Sequence, residues 1–187
     1  VPPCVLAHDI GWPAGRRDLY YNPSAIPESA RHAYRFDAGA VPGRSELVDG
    51  GFRGEGAFAF ALSEGGERNG VLTAIEDFLA ESGPEWQCFE APAVFGLAIL
   101  YMPAALPGGA RREIDSIREA LARTDSLLRT LERNRLDLFL KVLGLQDEEK
   151  RLANLAAQLA ESLSERDKRI AGLLLRQREL EAESASR

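Results

Sequence analysis

His8 and Asp9 stand side by side at the end of a short apolar run, Cys4-Val5-Leu6-Ala7, and they are the residues whose chemistry is easiest to name. An imidazole next to a carboxylate can act as a general base near neutral pH, and either side chain can ligate a divalent cation such as Mg. The pair can equally close the strand as an Asx-type turn, and the residue types alone leave both readings open. Just beyond lie Trp12, the paired Arg16 and Arg17, Asp18, and the paired Tyr20 and Tyr21, a set suited to an anionic or sugar-like small-molecule ligand. A surface salt-bridge cluster of Arg16, Arg17 and Asp18 is the competing reading. His32 has no obvious partner in the sequence, and no G-x-S-x-G, Walker loop or H-E-x-x-H occurs.

Glycine motifs need an element to deliver them. Gly54-Glu55-Gly56-Ala57-Phe58-Ala59 matches G-x-G-x-x-A, with Glu76 about twenty residues on, as in a dinucleotide fingerprint. The preceding Asp49-Gly50-Gly51-Phe52-Arg53 reads as a turn, so no buried strand presents the first glycine and the stretch is taken as a flexible loop. Cys4 and Cys88 show no C-x-x-C spacing and are read as buried free thiols, without zinc.

The elements that would position these residues are a buried strand at about 4–8, an amphipathic helix at about 69–82 with Asn69 as N-cap, and strands at about 86–90 and 94–102. Val71, Leu72, Ile75, Phe78 and Leu79 form the helical stripe, which ends at Gly83-Pro84. Ala91-Pro92-Ala93 makes the last two strands an antiparallel hairpin. Residues 1–106 thus read as one α/β part with a long insertion loop over 10–68, too long for a plain connector. Three strands and one helix leave a parallel sheet incompletely covered, so part of the layer is expected upstream of Val1.

After a linker at 107–110, residues 111–187 carry unbroken heptads. With Ile114 at a, the a and d series give 15 apolar residues at 20 core positions over ten heptads. The polar exceptions include Arg135, Glu149 and Arg166, expected to weaken a dimer while fixing its register. Unbroken, about 75 residues would extend on the order of 110 Å, so the helix is expected to pair with another copy, a homo-oligomer. Its first turns can lie on its own domain, and Gly144 with the polar run after it marks a place for a break near 144–147.

Residues 1–110 hold 7 basic and 14 acidic side chains, and residues 111–187 hold 16 and 15, so neither part offers the basic face that nucleic acid requires. No run of eighteen apolar residues is present, which argues against a membrane span, and the N-terminus lacks a signal-peptide pattern; a cytoplasmic protein is the expectation.

Two blocks carry a resemblance. His8-Asp9-Ile10-Gly11-Trp12-Pro13 with Gly15-Arg16-Arg17-Asp18-Leu19-Tyr20-Tyr21, and Glu64-Gly65-Gly66 with Arg68 through Leu79, resemble the C-terminal half of bacterial class I S-adenosylmethionine-dependent methyltransferases. The resemblance spans roughly residues 3–103 and implies the closing β-α-β-β of that Rossmann-like sheet, followed here by a coiled-coil extension. It implies O-methyl transfer to a sugar or natural-product hydroxyl, with His8 or Asp9 as base, Asp9 as a metal ligand, and Trp12, Arg16, Arg17, Tyr20 and Tyr21 contacting the acceptor. The family's glycine-rich cofactor loop and ribose-binding acid would lie upstream of Val1, so the isolated chain is expected to bind no S-adenosylmethionine and to be inactive. The reading from a different class is a non-catalytic association module, a coiled coil carrying an α/β head.

Overall fold

A computed structural model describes residues 3–54 and 56–185. Glu55, inside the glycine-rich match, and Val1 lie outside the described residues. Contacts divide the chain into two units, Val1–Leu143 and Gly144–Arg187.

The first unit is mixed α/β with two small antiparallel sheets. Strands β1 (Cys4–His8), β5 (Gln87–Ala91) and β6 (Leu97–Tyr101) form one sheet in the order β1-β6-β5. Both outer strands run antiparallel to β6, hence parallel to each other, and their carboxyl ends, His8 and Ala91, both lie opposite Leu97. Strand β1 was expected to be buried, but it is an edge strand with Leu6 65% exposed. Its apolar residues alternate between the two faces of a sheet that has a helix on one face, so only Ala7 packs against the core.

Helix α1 (Val71–Ser82) supplies that cover: Ile75 is buried with Ile10, Ala98 and Leu100, and Val71, Leu72 and Leu79 pack beside them. Its span agrees with the sequence expectation, but its N-cap is Gly70 and not Asn69. A Cβ at Gly70, where φ is +92°, would lie 2.5 Å from the carbonyl oxygen of Gly15, because the helix start abuts the 14–17 turn. Val71 and Leu72 donate their N–H groups to the carbonyls of Ala14 and Gly15, which satisfies two of the helix's orphan donors without a side-chain cap.

The stretch 10–68, read as an insertion loop, has structure of its own. It holds a second sheet of β2 (Leu19–Tyr20), β3 (Tyr34–Arg35) and β4 (Ala59–Ala61) in the order β2-β4-β3, with two single-turn 3-10 helices at Pro23–Ala25 and Glu28–Ala30. Ala59, Phe60 and Ala61 are all buried, and Tyr20 packs with Ala59, Ala61 and Tyr34. The strands are only two or three residues long, too short for an alternation signal, and this explains why their sequence reads as a loop.

Helix α2 runs from Gly108 to Ala185, so it starts inside the expected linker and residues 144–147 are helical. Within the first unit the a positions Ile114, Leu121, Leu128 and Arg135 are half-buried, while Val142, the last a position there, and the d positions Ile117, Leu131 and Leu138 stay exposed. Leu136 is buried. In the second unit every residue from Glu148 to Ala182 is exposed. Among the described residues no helix is long and apolar enough to cross a membrane. Cys4 and Cys88 are free thiols, half-buried instead of buried.

Candidate functional site

A cavity of about 800 Å³ opens in the first unit at the carboxyl ends of β1 and β5. Ile10, Gly11, Trp12, Pro13, Gly15 and Arg16 wall it on one side; Glu90, Pro92, Phe95 and Gly96 from the β5-β6 hairpin wall it on another. Helix α2 closes it with Asp125, Arg129, Glu132, Arg133, Leu136 and Asp137.

Three local devices build these walls. The first is a cluster of rings around Phe52, which meets Trp12, Phe58, Phe60, Phe95 and Phe139 at centroid distances between 5.6 and 6.2 Å. It ties the 10–16 segment, the second sheet, the hairpin and α2 together; the edge-to-face pairs, with Trp12, Phe60 and Phe95, each add about 0.5–1.5 kcal/mol beyond area burial.

The second device is the hairpin turn. Val94, Phe95 and Gly96 all have positive φ, at 52°, 67° and 83°, so successive N–H groups point to one side and form an anion nest. The carboxylate of Glu132 accepts from the N–H groups of Val94 and Phe95, each at 2.9 Å. Arg135 then donates two bonds to Glu132 at 2.7 Å and lies 4.3 Å over the Phe95 ring. Arg135, and next the two backbone donors after the cost of burial, hold the Glu132 carboxyl below its usual range. A polar residue at this a position therefore serves the contact with the hairpin.

The third device is the packing of the 16–20 segment. Arg17 is 1% exposed; it donates to the carbonyls of Ala61 (2.5 Å), Leu62 (3.0 Å) and Ser45, and to Glu64 at 3.1 Å. Asp18 accepts from Gly70 N–H and from the Tyr20 hydroxyl, and its own N–H donates to Asn69 Oδ1. Asn69, fully buried, also donates to the carbonyls of Ser63 and Gly65. Tyr20 accepts from the backbone N–H of His32, whose ring Nε2 lies 3.2 Å from the Arg68 carbonyl oxygen, the partner its sequence context does not reveal. Burial pushes the Tyr20 phenol up to about 12.

Of the residues singled out from the sequence, the fold brings Trp12 and Arg16 to the cavity wall. Arg16 also forms a two-bond pair with Glu76 at 2.6 Å and donates to Thr73. His8 and Asp9 immediately precede the wall; His8 Nδ1 lies 2.9 Å from Asp9 Oδ2, and both are exposed. Asp9 has φ of 63°, a left-handed conformation that aspartate tolerates at a strand end. Tyr20 and Arg17 are buried in the framework, and Tyr21 is 78% exposed against Phe58. The sequence reading missed Asp125, Arg129, Glu132 and Arg133; the departure from the apolar a/d pattern at Thr124 and Arg135 is the one signal that this part of the helix faces something other than its own copy.

The glycine-rich stretch runs from a turn at Gly54 into β4, so a strand follows the loop where a dinucleotide site needs a helix. No family model, no curated protein and no solved structure matches the chain.

Proposed function

We propose that the first unit is the acceptor-binding part of an S-adenosylmethionine-dependent methyltransferase acting on a hydroxyl of a sugar or natural product. One observation carries this reading: the residues of the methyltransferase-like block, Ile10 through Arg16, wall a cavity at the shared carboxyl end of two parallel strands, the position at which open α/β sheets bind ligands. The order β1, α1, β5, β6 also agrees with the closing β-α-β-β that the resemblance implies.

The lining suits a polyhydroxylated molecule, with Trp12 and Phe95 as apolar faces and Glu90, Arg133 and Asp137 as acceptors and donors beside the Arg16–Glu76 and Arg129–Asp125 pairs. When bound, S-adenosylmethionine supplies an electrophilic methyl group. His8 Nε2 would take the acceptor's hydroxyl proton while Asp9 holds the Nδ1 side, which readies the oxygen for the methyl group the cofactor would supply. Among the described residues no group of three or more His, Cys, Asp or Glu converges. A divalent cation at Asp9 would complete its shell from water and the acceptor.

The test is transfer of labelled methyl from S-adenosylmethionine to hydroxylated acceptors by the full protein. Trp12→Ala is expected to lower kcat/KM at least about tenfold through lost acceptor contact. Asp9→Ala is expected to lower kcat; unchanged activity removes the dyad from the reaction. A stoichiometric complex of the isolated chain with S-adenosylmethionine, seen by calorimetry, overturns the expectation that these residues do not hold the cofactor.

A second reading, association through the C-terminal helix, has its own support. In the second unit Leu145, Leu152, Leu159, Leu163, Ile170 and Leu173 are between 47% and 71% exposed and recur at heptad positions, and such a stripe on a lone helix is unstable in water.

A further inference from the structure

We infer that the second unit pairs with the same segment of another copy in antiparallel orientation, in the register that sets Glu149 opposite Arg166 of that copy. The inference rests on the association reading and specifies its geometry.

Between Leu145 and Ile170 the a/d stripe is interrupted at two places only, by Glu149 at an a position and Arg166 at a d position. Both are exposed, and among the described residues neither pairs within its own chain. In a parallel, in-register pair each residue meets its own copy, so Glu149 faces Glu149 and Arg166 faces Arg166 inside the seam. Like charges there are repelled in a poorly hydrated setting. In an antiparallel pair a residues face d residues, and the interruptions are of opposite sign and opposite heptad type.

The register that joins them makes every intervening layer apolar on both sides. Leu145 faces Ile170, Leu152 faces Leu163, and Ala156 faces Leu159, each pair occurring twice by symmetry. In this register Glu148 at g, which pairs with Arg151 of its own chain, also lies beside Arg169 of the second copy, twice by symmetry. The symmetry axis falls between Ala157 and Gln158, where Ala153, Ala156 and Ala160 are concentrated on or beside the seam, so the backbones can approach closely at the midpoint. The a–d registers one heptad away on either side leave Glu149 and Arg166 each against an apolar residue. The charged pair therefore selects orientation and register, the best-attested role of a polar group in a coiled coil.

The test uses the full chain with Cys4→Ser and Cys88→Ser. Light scattering after size exclusion is expected to give twice the 20.5 kDa chain mass. Glu149→Arg alone, or Arg166→Glu alone, raises the dimer dissociation constant about tenfold or more, and the double exchange Glu149→Arg/Arg166→Glu restores it to within about threefold. In a parallel dimer the double exchange restores nothing, because like charges still meet. Oxidation of Leu152→Cys chains mixed with Leu163→Cys chains yields the mixed disulfide; disulfides only between identical positions mean a parallel pair, overturning the register while leaving association intact. A monomer at all concentrations overturns association and the register together.

Discussion

Replacing Arg17 by methionine keeps most of its volume but leaves the carbonyls of Ala61, Leu62 and Ser45 without their donor and Glu64 without its cation. Losing one partner of a buried charged network costs about 3–5 kcal/mol, so Arg17→Met is expected to lower the urea midpoint of the first unit by that equivalent. A substrate role alone would leave the midpoint unchanged. Tyr20 offers a second check at this scale. Its folded-state pKa, raised to about 12 by burial foremost, exceeds the unfolded value of 10.0. The stabilising contribution is therefore complete below pH 10 and is lost as pH rises through 12, by about 1.4 kcal/mol per unit at most. Denaturation at stepped alkaline pH, wild type against Tyr20→Phe, is expected to show the steeper alkaline loss in the wild type only.

Between elements, the joint of α2 with the β5-β6 hairpin depends on one carboxylate. Glu132 is 14% exposed and bonds two backbone N–H groups and Arg135. Glu132→Ala removes charge-assisted hydrogen bonds worth about 1.5–3 kcal/mol each and leaves the nest of Val94 and Phe95 open. Hydrogen exchange is expected to rise at Val94 and Phe95 before it rises in β6. Because Glu132 has a depressed pKa in the fold, its contribution is present above the ordinary glutamate range and is lost as pH falls through the folded value. Acid therefore loosens the hairpin turn in the wild type but has no such effect at this joint in Glu132→Ala. Unchanged exchange at both residues would show that the helix is held by the Phe52 ring cluster alone. Gly96 sets a limit of the same kind, since a Cβ there would come within 2.8 Å of Gly11 N at φ of +83°.

At the scale of the molecule, the two units differ in what stabilises them. The first has two hydrophobic clusters of its own together with Leu136 and Phe139 from α2. A chain ending at Leu143 is expected to melt within about 2 °C of the full chain at its unit 1 transition and to be monomeric. A large fall in that transition would mean that association supports the first unit as well.

Heptad spacing, charge balance and helical periodicity are properties of neighbouring residues, and they were legible without coordinates: α1, the closing hairpin and the long helix follow from the order of apolar side chains. So was the want of a regular strand before Gly54, whose neighbours read as a turn. Tertiary structure alone decided which charges are structural and which face the cavity. Arg16 and Arg17 are adjacent and chemically alike, yet one reaches a cavity wall and the other is 1% exposed among carbonyls 28 to 45 residues away. The second sheet, the nest filled by Glu132 and the ring cluster at Phe52 are likewise joined across long sequence separations. No local pattern encodes such pairings, because each depends on which backbone donors and rings the folded chain brings within a few ångströms of one another.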